Sequence, residues 1–320
     1  MKSIINDIYL NGIVPVIKLE NPEKAVPLIN ALYKGGIYLC EITFRSKAAG
    51  EAISRIAAQY PDALLGAGTV INIEQVDEAI SAGAKFIVSP GFNSKIVEYC
   101  LEKDILIIPG VCTPSEMEAA MEMGLEFVKF FPAEQMGGTA FLKSVYGPYQ
   151  KLNFLPTGGI NLSNLNDYLQ LPNVLACGGS WMVKSDFINK GSFEEITYMA
   201  KEAVNHMLGF KVAHIGINSL DSTEANKITK TICDIFGLTP YMGETSNFAG
   251  TGIEVLKSKY LGNHGHIAIQ TNSVDRAINH LKRYGVKFNE ETRVKDDNGK
   301  TKSIYLEDEI GGFAFHLLQK

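Results

Sequence analysis

The first two hundred residues set short apolar runs against longer amphipathic stretches in regular alternation. A short apolar run bounded by turn residues reads as a strand buried on both faces. A stretch with apolar residues every three or four positions reads as a helix packed over it. Apolar runs at 13–17, 38–43, 64–67, 85–88, 105–108, 126–130, 154–156 and 174–177 predict eight strands. Helices are expected at 22–34, 47–59, 73–81, 94–102, 115–123, 140–144 and 162–169, and from the last strand out to His206. Gly35-Gly36, Gly83 and Gly124 mark helix stops. Eight βα units in about 200 residues predict an α/β fold, a compact (β/α)₈ TIM barrel. A doubly wound open sheet is the other arrangement with this pattern, but no GxGxxG follows the first strand.

A barrel of this kind does its chemistry at the C-terminal ends of its strands. Those ends carry Lys18, Glu41-Ile42-Thr43-Phe44-Arg45, Gly66-Ala67-Gly68-Thr69, Ser89-Pro90-Gly91, Lys129, Thr157-Gly158-Gly159 and Gly178-Gly179-Ser180. Lys129 lies within Phe127-Val128-Lys129-Phe130-Phe131-Pro132, with apolar neighbours on both sides. An ammonium is costly to hold there, and an amine kept neutral by desolvation captures carbonyl substrates as Schiff bases. The plainer alternative is a lysine whose tip reaches water or pairs with Glu134. Glu41 is either a proton-transfer group or the structural partner of Arg45. The two Gly-Gly turns after the last two strands suit a phosphate or another anionic end group, because glycine lets backbone N–H groups approach an anion closely.

These segments, together with Pro132-Ala133-Glu134, Pro156-Thr157-Gly158-Gly159-Ile160 and Gly178-Gly179-Ser180-Trp181, resemble the 2-keto-3-deoxy-6-phosphogluconate / 4-hydroxy-2-oxoglutarate aldolases over residues 1–208. The resemblance implies a trimeric class I aldolase that needs no cofactor beyond its own lysine. It implies Lys129 as the Schiff-base lysine and Glu41 as the acid/base. It also implies Arg45 and Thr69 on the pyruvyl carboxylate, and Gly158, Gly159, Gly179 and Ser180 on the distal phosphate. Thr157 and Phe131 line the pocket, Pro90 is among the substrate-binding residues, and Lys18 either reaches the phosphate or carboxylate or is simply solvated. A competing function is a barrel that binds a sugar acid without chemistry, with the rest of the chain as sensor. That function would not need Lys129 and Glu41 together.

Beyond Gly209 the composition changes. Residues 1–209 carry 16 basic and 22 acidic residues, the remainder 14 and 13, and five of the six histidines lie in the remainder. Ala213-His214-Ile215-Gly216-Ile217-Asn218 recurs 52 residues later as Gly265-His266-Ile267-Ala268-Ile269-Gln270. Each copy leads into a helix, 222–236 and 273–284, and closes on a similar strand, 252–256 and 314–318. This predicts an α+β domain, 210–320, of two βαβββ modules. It resembles the vicinal-oxygen-chelate (glyoxalase-like) group, which implies a divalent transition metal on His214, Glu254, His266 and His316, with His264 as a competing register for His266. With that metal the domain would be a second lyase, isomerase or dioxygenase site; without it, a sensing or packing module. His280, beside Lys282 and Arg283, is expected in solvent.

A net charge of −5 with no basic run argues against nucleic acid or an anionic membrane as partner. The substrate is expected to be a small molecule. The opening MKSIINDIYLNGIVPV lacks a signal-peptide pattern, and five scattered cysteines without CxxC fit a reducing cytoplasm.

Overall fold

The computed structural model describes residues 1–320 and divides into two compact units, Met1–Met207 and Leu208–Lys320. The strands of the first unit are β1 (Ile13–Ile17), β2 (Leu39–Thr43), β3 (Leu64–Gly68), β4 (Phe86–Val88), β5 (Leu106–Ile108), β6 (Gly110–Val111), β7 (Phe127–Phe130), β8 (Asn153–Pro156) and β9 (Cys177–Gly179). One arc runs β5-β4-β3-β2-β1-β9 and a second β6-β7-β8, with every pairing parallel. At one end the arcs meet through Pro109, between β5 and β6, whose carbonyl accepts the Lys129 N–H at 2.9 Å. At the other, an isolated parallel bridge joins Thr157 to Gly178. The unit is thus α/β with a TIM-like winding.

Alternation along the strands separates packing from chemistry. Val14, Leu39, Phe127 and Leu155 belong to one buried apolar cluster, with Phe86, Val88, Leu106, Ile108 and Ala176. Two residues further along, in the same phase, come Val16, Glu41 and Lys129 on their strands and Thr157 just past the end of β8. The apolar layer therefore lies under the polar one.

A helix not anticipated from the sequence, Lys2–Asn11, inserts a fully buried Ile8 into that cluster, flanked by Ile4 and Ile5. Burying Ile8 contributes about 1.5–3 kcal/mol. The stretch ends at Gly12, whose φ of 70° closes the helix while its N–H bonds to Ile8 O at 3.0 Å. The strand expected at 174–177 forms at Cys177–Gly179, because Gly178 and Gly179 are the residues that pair with Val14 and Pro15. The last helix is two helices, Ser185–Lys190 and Phe193–Leu208, separated at Gly191 with φ 73°.

The second unit is mostly sheet. Its strands are β10 (Lys211–Asn218), β11 (Pro240–Met242), β12 (Ser246–Ala249), β13 (Ile253–Leu256), β14 (His266–Thr271), β15 (Phe288–Lys295), β16 (Thr301–Leu306) and β17 (Ala314–Gln319). They form one mixed sheet in the order β11-β12-β13-β10-β14-β17-β16-β15. The pairs β10·β13 and β14·β17 are parallel and the central pair β10·β14 is antiparallel. Two helices, Ser222–Phe236 and Val274–Lys282, begin at Asp221 and Ser273, whose side chains accept N–H groups of the first turn. No helix of the chain is long and apolar enough to cross a membrane.

Candidate active site

Lys129 stands at the middle of β7, between Gly110 of β6 and Leu155 of β8. Its Nζ lies 3.6 Å from Oε1 of Glu41, with side-chain exposures of 6% and 0%. Neither Glu41 oxygen accepts a hydrogen bond from the protein. Glycine makes room for this carboxylate: a Cβ at Gly68, on the neighbouring strand β3, would collide with it. Lys129 Nζ also sits 5.2 Å from the Phe131 ring centroid. Glu134 is not its partner; that carboxylate accepts the Tyr168 hydroxyl instead. Arg45 makes no ion pair with Glu41 and donates from Nε to Thr43 Oγ1 at 3.2 Å. The neighbouring Cys40 thiol is pushed far above its ordinary range, first by burial and then by the Glu41 carboxylate.

Above the pair opens a cavity of about 300 Å³, lined by Val16, Arg45, Thr69, Pro90, Lys129, Phe131, Thr157, Gly158, Gly159, Ile160, Gly179 and Ser180. Thr69 is held at φ 57°, a left-handed conformation costly for a β-branched residue. Gly158 and Gly159 have φ 101° and 81°. In that turn Thr157 O accepts Ala133 N–H at 2.8 Å, Gly158 O accepts Glu134 N–H at 3.1 Å, and Gly159 O accepts Nδ2 of Asn161 and of Asn164 at 3.1 Å. The carbonyls of this turn are thus all bonded within the protein, while Gly158 and Gly159 line the cavity without side chains, an arrangement suited to an anion.

Lys18 lies apart from this lining. β1 ends at Ile17, so strand alternation no longer aims Lys18 inward, and its ammonium pairs with Glu20 at 2.7 Å in solvent. Val16 and Ile160 line the cavity without having been singled out. Val16 was findable, since it is the last residue of β1 in phase with the buried Val14.

In the second unit the four expected ligands come from the four central strands. His214 (β10), Glu254 (β13), His266 (β14) and His316 (β17) converge. Glu254 Oε2 lies 3.1 Å from Nε2 of both His214 and His266, and those two Nε2 atoms are 3.2 Å apart. Donor atoms of the three imidazoles all lie within 4.8 Å of one another. Burial pushes the Glu254 carboxyl up, but hydrogen bonds from His214, His266 and Ser246 outweigh it and hold the group below its usual range. Burial, then the neighbouring His266 and His214, lower the His316 imidazole to about 4. His264 faces Phe313, 5.6 Å between centroids, so the register falls on His266. His280 is half-buried rather than in solvent, and its ring meets Tyr284 at 5.0 Å.

A buried lysine and carboxylate under an anion-suited cavity, on an α/β scaffold, define a class of enzyme, the class I aldolases, which are carbon–carbon lyases. Residues 4–199 match the family model described as KDPG and KHG aldolase, and the chain belongs to that family. It is 49% identical over 192 residues to the 2-dehydro-3-deoxy-phosphogluconate aldolase of Treponema pallidum, a match spanning 60% of this chain and 91% of that protein. It is 44% identical to the KHG/KDPG aldolase of Escherichia coli K12, over 60% and 90% of the two chains. Among solved structures, the KDPG aldolase of Legionella pneumophila, with pyruvate captured as a covalent carbinolamine, superposes with a TM-score of 0.62 at 37% identity, over 63% of this chain and 99% of that one. The Zymomonas mobilis ZM4 enzyme with 3-phosphoglycerate gives 0.60 at 37% identity, over 63% and 95%.

Proposed function

We propose that residues 1–208, read as a (β/α)₈ barrel, cleave 2-keto-3-deoxy-6-phosphogluconate to pyruvate and glyceraldehyde 3-phosphate, the carbon–carbon cleavage of the Entner–Doudoroff route. The observation that carries this reading is the solvent-excluded Lys129–Glu41 pair at a cavity that Lys129 lines together with the Gly158-Gly159 turn. The Lys129 amine adds to the C2 carbonyl. Loss of water from the carbinolamine gives an iminium. Glu41 takes the proton of the C4 hydroxyl, the C3–C4 bond breaks, and its electron pair enters the C2–C3 bond as an enamine while the aldehyde leaves. Protonation of C3 and hydrolysis of the iminium then release pyruvate and restore the amine. Proton transfers of this kind contribute about 10²–10⁴-fold each. Arg45 and Thr69 hold the pyruvyl carboxylate, and Gly158, Gly159, Gly179 and Ser180 the phosphate. Pro90, Phe131 and Thr157 shape the walls between.

Relatives that act on 2-dehydro-3-deoxy-phosphogluconate, one holding covalent pyruvate and one 3-phosphoglycerate, support this assignment. The test is pyruvate release by the purified chain from the phosphorylated gluconate, its galactonate epimer and 4-hydroxy-2-oxoglutarate. The reading expects the highest kcat/KM for a phosphorylated acid. Absence of pyruvate from all three would remove it. We infer with it a trimer, checked by sedimentation.

A second reading concerns residues 210–320. The strand order reads as two βαβββ modules paired through β10 and β14, as in the glyoxalase-like group. The donor set fits a divalent transition metal. Three imidazoles and a carboxylate converge, and His266 Nδ1 and both nitrogens of His316 are buried without a protein partner. His214, Glu254, His266 and His316 would hold the ion, which would supply Lewis-acid activation of an oxygen ligand. Ser246 Oγ, donating to Glu254 Oε1 at 2.6 Å, orients the carboxylate.

A further inference from the structure

Tyr168 stands outside the cavity, yet it is fully buried and its hydroxyl donates to Oε1 of Glu134. Burial and the Glu134 carboxylate push the phenol above its ordinary range, so it remains a donor at any working pH. Glu134 is the last residue of the Lys129-Phe130-Phe131-Pro132-Ala133-Glu134 run, so it connects directly to the strand that carries the lysine. Its stem lies under Gly159, where a Cβ would collide with Glu134 Cγ. Its N–H holds Gly158 O at 3.1 Å. On the opposite side Gly138 closes over the pair; a Cβ there would lie 3.1 Å from the Tyr168 hydroxyl and 3.2 Å from Glu134 Oε1. The Gly158-Gly159 turn thus rests against a side chain whose carboxylate is held by Tyr168.

We propose that Tyr168 and Glu134 are positioning residues that set the enzyme's preference for a phosphorylated substrate, by fixing the backbone turn that receives the phosphate. The inference rests on the aldolase reading with Gly158 and Gly159 at the phosphate. It separates two tasks within one cavity. Glu41 and Lys129 act at C2 to C4, whatever the far end of the substrate carries. The Tyr168–Glu134 pair acts only on what reaches the turn. An unanchored Glu134 would swing on its exposed side and let the Gly159 backbone drift. The cost would fall on binding of the phosphate and leave the chemistry at the lysine intact.

The experiment compares kcat and KM for 2-keto-3-deoxy-6-phosphogluconate and for the same acid without its phosphate, in the full chain and in Tyr168→Phe, Glu134→Ala and Glu134→Gln. Wild type is expected to prefer the phosphorylated acid. Tyr168→Phe and Glu134→Ala should reduce that preference about 3- to 10-fold, the worth of one hydrogen bond, through a raised KM for the phosphorylated acid. The rate on the unphosphorylated acid and borohydride trapping of pyruvate should stay as in wild type. Glu134→Gln keeps an acceptor for Tyr168 and should restore most of the preference. An unchanged preference in Tyr168→Phe, or an equal loss on both substrates, would overturn the positioning role. A wild type that cleaves both acids equally well would remove the phosphate assignment itself, and the role with it.

Discussion

Lys129 Nζ and Glu41 Oε1 face each other at 3.6 Å, each nearly or wholly cut off from solvent, and the two carboxylate oxygens have no other protein donor. A buried pair with so few supporting hydrogen bonds is a poor stabilising device, because desolvating two charges cancels most of their attraction. The arrangement fits the proposed mechanism, in which amine and carboxylate act on the same substrate.

If Glu41 moves protons, Glu41→Gln keeps its shape and loses its basicity. Turnover should fall about 10²-fold or more while pyruvate still forms a borohydride-trappable adduct. Steady-state kinetics beside intact-mass measurement checks this, and unchanged turnover would remove Glu41 from the mechanism.

Gly159 is required twice over, by its φ of 81° and by the absence of space for a Cβ above Glu134. Gly159→Ala should therefore raise KM for the phosphorylated acid tenfold or more (about 1.4 kcal/mol or more of lost binding), with pyruvate trapping retained. Comparable KM values in variant and wild type would show that the turn does not touch the substrate.

Much of this was legible in the sequence. The strand–helix alternation fixed the class of the first unit. Arg45, Thr69, Pro90, Thr157, Gly158, Gly159, Gly179 and Ser180, read from strand ends, and Phe131, from the resemblance, share one cavity lining. The 52-residue repeat likewise put His214 and His266 at matching places on two strands, which the structure pairs as β10 and β14. What the sequence hid depends on where ladders end. Lys18 looked like the tip of β1, but pairing stops at Ile17 and the side chain turns out to Glu20. The helix Lys2–Asn11 was missed because Ile4, Ile5 and Ile8 make only one apolar turn, too short to signal a helix without the cluster they fill. Glu134 gave no sign of Tyr168, since 34 residues separate them and only the fold joins them.

The metal reading predicts about one transition metal per chain by plasma mass spectrometry, in protein purified without a chelating tag. A His214→Ala/His266→Ala variant should lose it. No metal in wild type after incubation with Zn²⁺, Ni²⁺, Mn²⁺ and Fe²⁺ would leave residues 210–320 a metal-free module.

Acid should weaken the helix Pro114–Glu122 at its first turn. The Glu116 carboxylate accepts the N–H groups of Cys112 at 2.8 Å and Thr113 at 2.9 Å. Burial raises its pKa, but those hydrogen bonds outweigh it and leave the group below its ordinary 4.5. A depressed carboxyl pKa stabilises the fold fully above the unfolded value, and that contribution is lost as pH falls through the folded one. Wild type should thus exceed Glu116→Gln by about 0.5–1.5 kcal/mol at pH 7 in urea unfolding. The difference should shrink as pH drops below about 4.5. A gap independent of pH would assign the effect to packing.

The most direct measurement is borohydride reduction of the chain in the presence of pyruvate, followed by peptide mass mapping. Reduction should fix the mass of one reduced pyruvyl group on Lys129, and Lys129→Met should abolish it. An unmodified chain, or an adduct on another lysine, would contradict the Schiff-base mechanism.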